Sequence, residues 1–506
     1  MILLDGDSLT LDQLLSVADR GALVGLADHA AARVDAARVV VDRMAAGSEA
    51  VYGINTGFGA LAEMVIPVAA LGALQLNLLR SHAAGVGEPL PVRTVRASML
   101  LRAHVLAKGY SGIRRSTLER LIELLNRRVH PRVPSRGSVG ASGDLAPLAH
   151  LALVLIGEGE ATIGDDTRVL PGRDALRAVG LDPMTLESKE GLALINGTQP
   201  STAVAVLALE GAARLARAAD IAAALSIDAL RGSVHPFDAR IHAARPHPGQ
   251  GASAENIRAL LSGSAINRSH EHCGRVQDAY SMRCAAQVHG AARDALAFAR
   301  TTLTIEANAA TDNPMVFADA DDIVSGGNFH GAPVSIAADV IAIALAQLVT
   351  ISERRSDRLV NPALSELPAF LTTDSGLHSG YMMAQVTAAA LVSEVKTLCH
   401  PASVDTIPTS ANREDHVSMS MGAALKAARA LDLATAVVAV EILCACQAID
   451  LLSPLTTSPA LQRVHAHVRA QVPRLAGDRP PSPDIEAIVK IIADGSLESS
   501  CGMEVK

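Results

Sequence analysis

Ala141-Ser142-Gly143 carries the residue types needed to build an electrophile from the backbone alone. Glycine permits a bend that a Cβ forbids, so the Gly143 nitrogen can approach the Ala141 carbonyl carbon. Attack there with loss of water, and loss of a second water from Ser142, gives an imidazolone ring with an exocyclic alkene. The tripeptide lies within Gly137-Ser138-Val139-Gly140-Ala141-Ser142-Gly143-Asp144, and the apolar run Leu151 to Ile156 follows closely. Asp144 is placed to cap the helix that this run predicts, and Pro147 falls in its first turn, where a missing N–H costs nothing. The tripeptide thus precedes the positive pole of a helix. Taken alone, a Gly/Ser loop opening a helix explains it as well, because short motifs match by chance.

Other chemistry-bearing residues sit in similar surroundings. Tyr52, one of four tyrosines, lies in the glycine-punctuated loop Val51 to Gly59. Such glycines suggest backbone folded closely over something, and no Lys follows to make a phosphate cradle. His82 stands beside Gly85 and Gly87. Polar loops precede long apolar helical patterns at Asp144, at Asn196-Gly197-Thr198-Gln199 and at Gly326 to Pro333. If those helix starts converge, several positive poles surround one cavity and favour an anion there.

The elements that must position these groups are helices. The 506-residue chain is 49% hydrophobic and 19% charged, with 2% aromatics and no Trp, so its core is built from Ala, Leu, Val and Ile. Alanine favours helix and lets helices approach closely. Helical patterns run over Leu9–Ala46, Ala69–Arg80, Val95–Lys108, Ser116–Arg128, Ser201–Leu230, Val334–Ile351, Met382–Leu398 and Gly422–Leu452, with a β-leaning excursion at Ala161–Val169. Glu210, Arg214, Arg217 and Asp220 interrupt the Ser201 run, which argues against a membrane span. The Val334 run, apolar on most sides, points to burial in a bundle shared between subunits.

A net charge of −8 without a basic stretch argues against nucleic acid as a partner. The start Met1-Ile2-Leu3-Leu4-Asp5 has no basic leader, and the six cysteines Cys273, Cys284, Cys399, Cys444, Cys446 and Cys501 form no disulfide framework. Cys444 and Cys446 read as core thiols, and the expected compartment is the cytoplasm.

With these motifs in hand the chain resembles the aromatic amino acid ammonia-lyase family. The resemblance rests on Tyr52-Gly53-Ile54-Asn55-Thr56-Gly57-Phe58-Gly59, Ala141-Ser142-Gly143-Asp144, Asn196-Gly197-Thr198-Gln199 and Gln277-Asp278-Ala279-Tyr280-Ser281-Met282-Arg283-Cys284. Thr311-Asp312-Asn313-Pro314, Gly326-Gly327-Asn328-Phe329-His330 and Glu414-Asp415-His416-Val417-Ser418-Met419 continue it in family order. It implies a mainly α fold with a long-helix bundle core. An N-terminal, mostly helical domain (1–200) carries the electrophile, and 201–506 supplies the bundle and C-terminal helices. It also implies a homotetramer with shared active sites. No cofactor is added and no metal is required; the electrophile is the internal 4-methylidene-imidazol-5-one of Ala141, Ser142 and Gly143.

The implied chemistry is non-oxidative loss of ammonia from an amino acid. Tyr52 is the implied base for the β-proton, with Tyr280 a second participant and Asp144 assisting cyclisation. Neutral-pH activity asks that the tyrosinate be stabilised. Arg283 clamps the substrate carboxylate with two parallel donors. Asn196 holds the carboxylate or the ring carbonyl, with Gln277 and Asn313 nearby, and Phe329 walls the site. His82 and Glu414 favour a histidine substrate and trans-urocanate as product, because an imidazole offers each of its nitrogens to a polar partner. Arg413 departs from the Gln usual in histidine-acting members and is expected to face outward. The competing expectations are a phenylalanine or tyrosine lyase, a 2,3-aminomutase, or an inactive helical scaffold.

Overall fold

Local capping divides the first amphipathic stretch. Thr10 and Gln13 form a reciprocal capping box at the start of helix Leu11–Arg20, and Gly21 ends that helix with φ +67°. Val24–Leu26 then pairs in parallel with Ile2–Leu4 before helix Asp28–Ala46 begins. The expected Leu9–Ala46 pattern is therefore two helices around a three-residue strand. The computed structural model describes residues 1–506 other than His272, Cys273 and Arg275, and Ala60 by its backbone only. Cys273 thus lies outside the described residues.

The chain folds into two compact units. The first comprises Met1–Leu207, Arg300–Ala338 and Pro401–Leu425. The division expected at residue 200 falls near the end of its longest segment. Two later segments complete the unit, which a single cut does not foresee. Its helices include Leu71–His82, Val92–Ala107, Arg115–Asn126, Leu145–Leu155 and Glu190–Ile195. The β-leaning excursion is real: Glu160–Ile163 pairs antiparallel with Val129–Pro131 and with Leu170–Pro171. Ile54, from the Tyr52 loop, packs with Ala37, Val40, Val41 and Val316. Gly53, at φ +77°, passes so close to Leu192 and Pro314 that a Cβ would stand 2.8 Å from each.

His130, on the edge strand Val129–Pro131, is only 2% exposed. Burial, together with the Arg96 and Arg128 guanidiniums, holds its imidazole down to about 4 from an ordinary 6.5. Between those values the unfolded chain binds a proton that the folded chain refuses, so stability falls as pH drops through that window. A His130→Leu variant should show a flatter decline of urea midpoint between pH 6.5 and 4 than wild type. An equal slope in both would assign the decline to other groups.

The second unit comprises Ala208–Ala299, Asp339–His400 and Lys426–Lys506. Two buried charges organise it. Glu441 receives Arg355 through Nε at 2.5 Å and Nη2 at 2.9 Å, and Ser226 Oγ at 2.7 Å. Asp220 accepts from Ser253, Asn256 and Arg293 and bonds His289, and despite burial the Arg293 charge and these hydrogen bonds hold its carboxyl at about 2. Cys444 and Cys446 are buried, and burial pushes the Cys446 thiol up to about 12, as suits core thiols.

Four long helices carry the chain: Gln199–Ala229, Ala285–Ala307, Ala332–Val360 and Ser420–Leu451. The last two are long and apolar enough to cross a membrane, but 67% and 89% of their most apolar windows are buried inside the structure.

Candidate active site

Four helix starts meet at Ser138–Asp144, all within the first unit. Asp144 stands at the N-terminus of Leu145–Leu155, yet its carboxylate does not cap that helix. It accepts instead from the backbone N–H of Ser201 at 2.7 Å, in the first turn of Gln199–Ala229, and from Ser138 Oγ at 2.6 Å. This corrects the expected cap: the side chain is drawn to the neighbouring helix, whose free N–H groups need an acceptor. Immediately before Ala332–Val360, the Gly331 N–H donates to the Gly140 carbonyl at 3.3 Å. Ahead of Ser420–Leu451, the Met419 N–H reaches the Val139 carbonyl at 2.8 Å and Ser418 Oγ reaches Gly140 at 2.9 Å. The expected convergence of positive poles is present.

The tripeptide is bent against a second loop. Gly143 has φ +73° and pairs in parallel with Gly197, whose carbonyl accepts the Asp144 N–H at 2.7 Å. A Cβ on Gly143 would overlap the Gly197 peptide. Ala141 is 5% exposed. Ser142 Oγ donates to Glu414 Oε1 at 2.8 Å, so this carboxylate lies directly against the serine.

Around that pair stand the other titratable candidates. His82 Nδ1 bonds the Leu78 carbonyl at 2.9 Å, which makes it the protonated nitrogen and leaves Nε2 an acceptor in the neutral ring. Burial lowers the His82 pKa, while the Leu78 bond and the Glu414 charge work against that fall. Tyr52 is half-buried, and burial raises its hydroxyl; the Gly59 N–H opposes this and the Glu414 charge adds to it. The expectation of a stabilised tyrosinate is therefore reversed in the folded chain.

Asn196 Nδ2 donates to the Asn313 carbonyl at 2.8 Å, and Asn313 Oδ1 accepts the Gly326 N–H at 2.7 Å. The Asn196 amide oxygen is buried without a hydrogen-bond partner among the described residues. That free acceptor suits an N–H of a ligand, and the second Nδ2 hydrogen suits an acceptor such as the carboxylate or ring carbonyl expected there. Phe329 is partly buried, two residues before Gly331.

Residues 9–470 match the aromatic amino acid lyase family. The chain belongs to that family. Histidine ammonia-lyase of Anaeromyxobacter sp. (strain K) is 56% identical over 504 residues, covering 98% of this chain and 99% of the relative. The crystal structure of histidine ammonia-lyase from Trypanosoma cruzi matches with a TM-score of 0.92 at 45% identity, over 99% of this chain and 95% of that one. Tyrosine aminomutase from Streptomyces globisporus matches with a TM-score of 0.94 at 38% identity over 100% of both chains.

Three residues that the likeness to aromatic amino acid lyases marks for the site belong to the second unit. Tyr280 is 71% exposed, and the Arg283 guanidinium lies 4.4 Å from its ring centroid. Arg283 Nε also bonds the Asp278 carbonyl at 3.1 Å, and Gln277 is exposed. Two residues that hold these loops, Glu306 and Arg102, belong to none of the sequence motifs. Glu306 accepts from Thr198 Oγ1 at 2.5 Å, and burial, with a smaller push from Asp144, raises its carboxyl. Fully buried Arg102 reaches the carbonyls of Ala193 and Asn196 at 2.5 and 2.8 Å and Gln199 Oε1 at 2.8 Å. A lone arginine inside the apolar run Leu100 to Leu106 was its one visible signal.

Proposed function

We propose that this chain removes ammonia from L-histidine, converting it to trans-urocanate and ammonium. The observation that carries the reading is the Ser142–Glu414 contact at 2.8 Å, which sets a carboxylate able to bind an imidazole N–H against the tripeptide. The histidine ammonia-lyase activity named for relatives at 56% and 55% identity supports the same substrate.

Ala141, Ser142 and Gly143 fit the internal ring: Gly143 is bent at φ +73°, its nitrogen is two residues from the Ala141 carbonyl, and Ser142 brings the hydroxyl to be lost. Once formed, the 4-methylidene-imidazol-5-one supplies an electrophilic alkene to the substrate. Glu414 accepts the substrate's imidazole N–H, and neutral His82 faces the same ring through its acceptor nitrogen. Tyr52 takes the β-proton; its raised hydroxyl makes a strong base once ionised, although a scarce one at neutral pH. Arg283 binds the carboxylate through two parallel donors. Gln277, Tyr280 and Arg283 complete the site from a neighbouring copy in a homotetramer, in the cytoplasm.

An ultraviolet assay with histidine, phenylalanine and tyrosine in parallel tests the reading, since each conjugated product has its own absorption. Turnover of histidine alone is expected, and Ser142→Ala, which has no hydroxyl to lose and so cannot form the alkene, should lower it by about 10³-fold or more. Turnover of phenylalanine or tyrosine in place of histidine, or a β-amino acid product, would overturn the substrate or the reaction assigned.

A further inference from the structure

Glu414 is held by two hydroxyls, one on each oxygen. Ser142 Oγ donates to Oε1 at 2.8 Å and Thr409 Oγ1 donates to Oε2 at 2.5 Å. Thr409 also pairs with Glu414 through the backbone in both directions, at 2.9 Å and 3.4 Å. That pairing closes a loop in which Ser410, Ala411 and Asn412 all take positive φ, at 49°, 53° and 63°. Three consecutive non-glycine residues in the left-handed region are costly, so the loop needs a closure that compensates. Arg413, the adjacent cation, points away and meets Glu63 at 3.6 Å, with both side chains mostly exposed. It therefore neither orients nor neutralises Glu414, and its outward placement is as expected.

The Ser142 bond cannot persist, because ring formation removes that hydroxyl as water. Oε1 is then released, while Thr409 still holds Oε2. We propose that Thr409 is a positioning residue for substrate selection: its hydroxyl fixes the Glu414 carboxylate so that Oε1, vacated on maturation, is presented to the imidazole N–H. A hydroxyl bond to a carboxylate is charge-assisted and so both short and directional. Without it the carboxylate can rotate about its terminal torsion, which has no sharp staggered wells. The inference rests on the histidine reading above.

The test compares wild type, Thr409→Val, Thr409→Ser, Glu414→Gln and the double variant Thr409→Val/Glu414→Gln as full-length proteins. KM for histidine, kcat and the inhibition constant of urocanate are measured. Ring formation is followed as the loss of two waters from the 141–143 peptide. Thr409→Val should form the ring fully, raise KM and the urocanate constant about tenfold, and change kcat less. Thr409→Ser should restore both, and Thr409→Val should add little in the Glu414→Gln background. Unchanged constants in Thr409→Val, failure of Thr409→Ser to rescue, additive losses in the double variant, or an unformed ring in Thr409→Val would each overturn the inference. Wild type silent with histidine would overturn the histidine reading and this inference together, whereas an active wild type with an indifferent Thr409→Val removes only the latter.

Discussion

Gly143→Ala is expected to leave the chain uncyclised, its 141–143 peptide keeping the two waters that wild type loses, and histidine turnover lower by about 10³-fold or more. Two physical effects act together. A φ of +73° disfavours any L side chain by about 1–2 kcal/mol. The added Cβ would also meet the carbonyl oxygen, carbon and nitrogen of Gly197, all backbone and none able to swing aside. The two loops must then separate, breaking the Gly143–Gly197 pairing and the bond from the Asp144 N–H to the Gly197 carbonyl. Neither loss requires global unfolding, because helices Leu145–Leu155 and Glu190–Ile195 keep their buried faces. Far-ultraviolet circular dichroism should therefore match wild type while peptide mass and activity do not. Normal maturation in Gly143→Ala would show that the bend is not what brings the nitrogen to the carbonyl.

That expectation marks how far the sequence could be read. Glycine at 143 told of a bend, and the small residues before Leu151 told of a helix start; both are local properties that residue type alone determines. The long helices were equally legible, because apolar runs such as Val334 to Ile351 leave little choice of structure: the helix there spans Ala332–Val360. Asp144 was misplaced as the cap of its own helix because two N-termini lie within its reach, and spacing along the chain shows only one. The direction of the Tyr52 shift was out of reach for a similar reason. It depends on how deeply the ring is buried and on Glu414, which comes 362 positions later in the chain and close in space. Thr409 and Glu306 belong to no motif, so only the folded chain reveals that Thr409 holds the Glu414 carboxylate and that Thr198 holds that of Glu306. Arg102 lay between these cases: its burial was implied by its neighbours, but its three acceptors were not.

Arg102→Met should lower the stability of the folded chain by about 3–5 kcal/mol, the usual cost of removing one partner from a buried charged group. The guanidinium is fully buried, and burial lowers it only to about 10, so it is charged at neutral pH. It holds the Ala193 and Asn196 carbonyls and Gln199 Oε1, and it shares Asp312 with buried Lys189 at 3.9 and 3.5 Å. Methionine fills much of the same volume and supplies none of those donors, so three acceptors lose their partner where water cannot replace it. Arg102→Lys keeps the charge but not the planar fork, and should recover only part of the loss. The urea midpoint of unfolding measures the effect, and a Met variant as stable as wild type would show that those oxygens find other donors. The same guanidinium sets the turn at Asn196–Gln199, against which Gly143 is pressed. Ring formation in Arg102→Met should therefore be slow or incomplete even at temperatures where the chain is folded. Complete ring formation in a destabilised Arg102→Met would separate the two roles: the cation would support the fold, and the Gly143–Gly197 pairing would bend the tripeptide unaided.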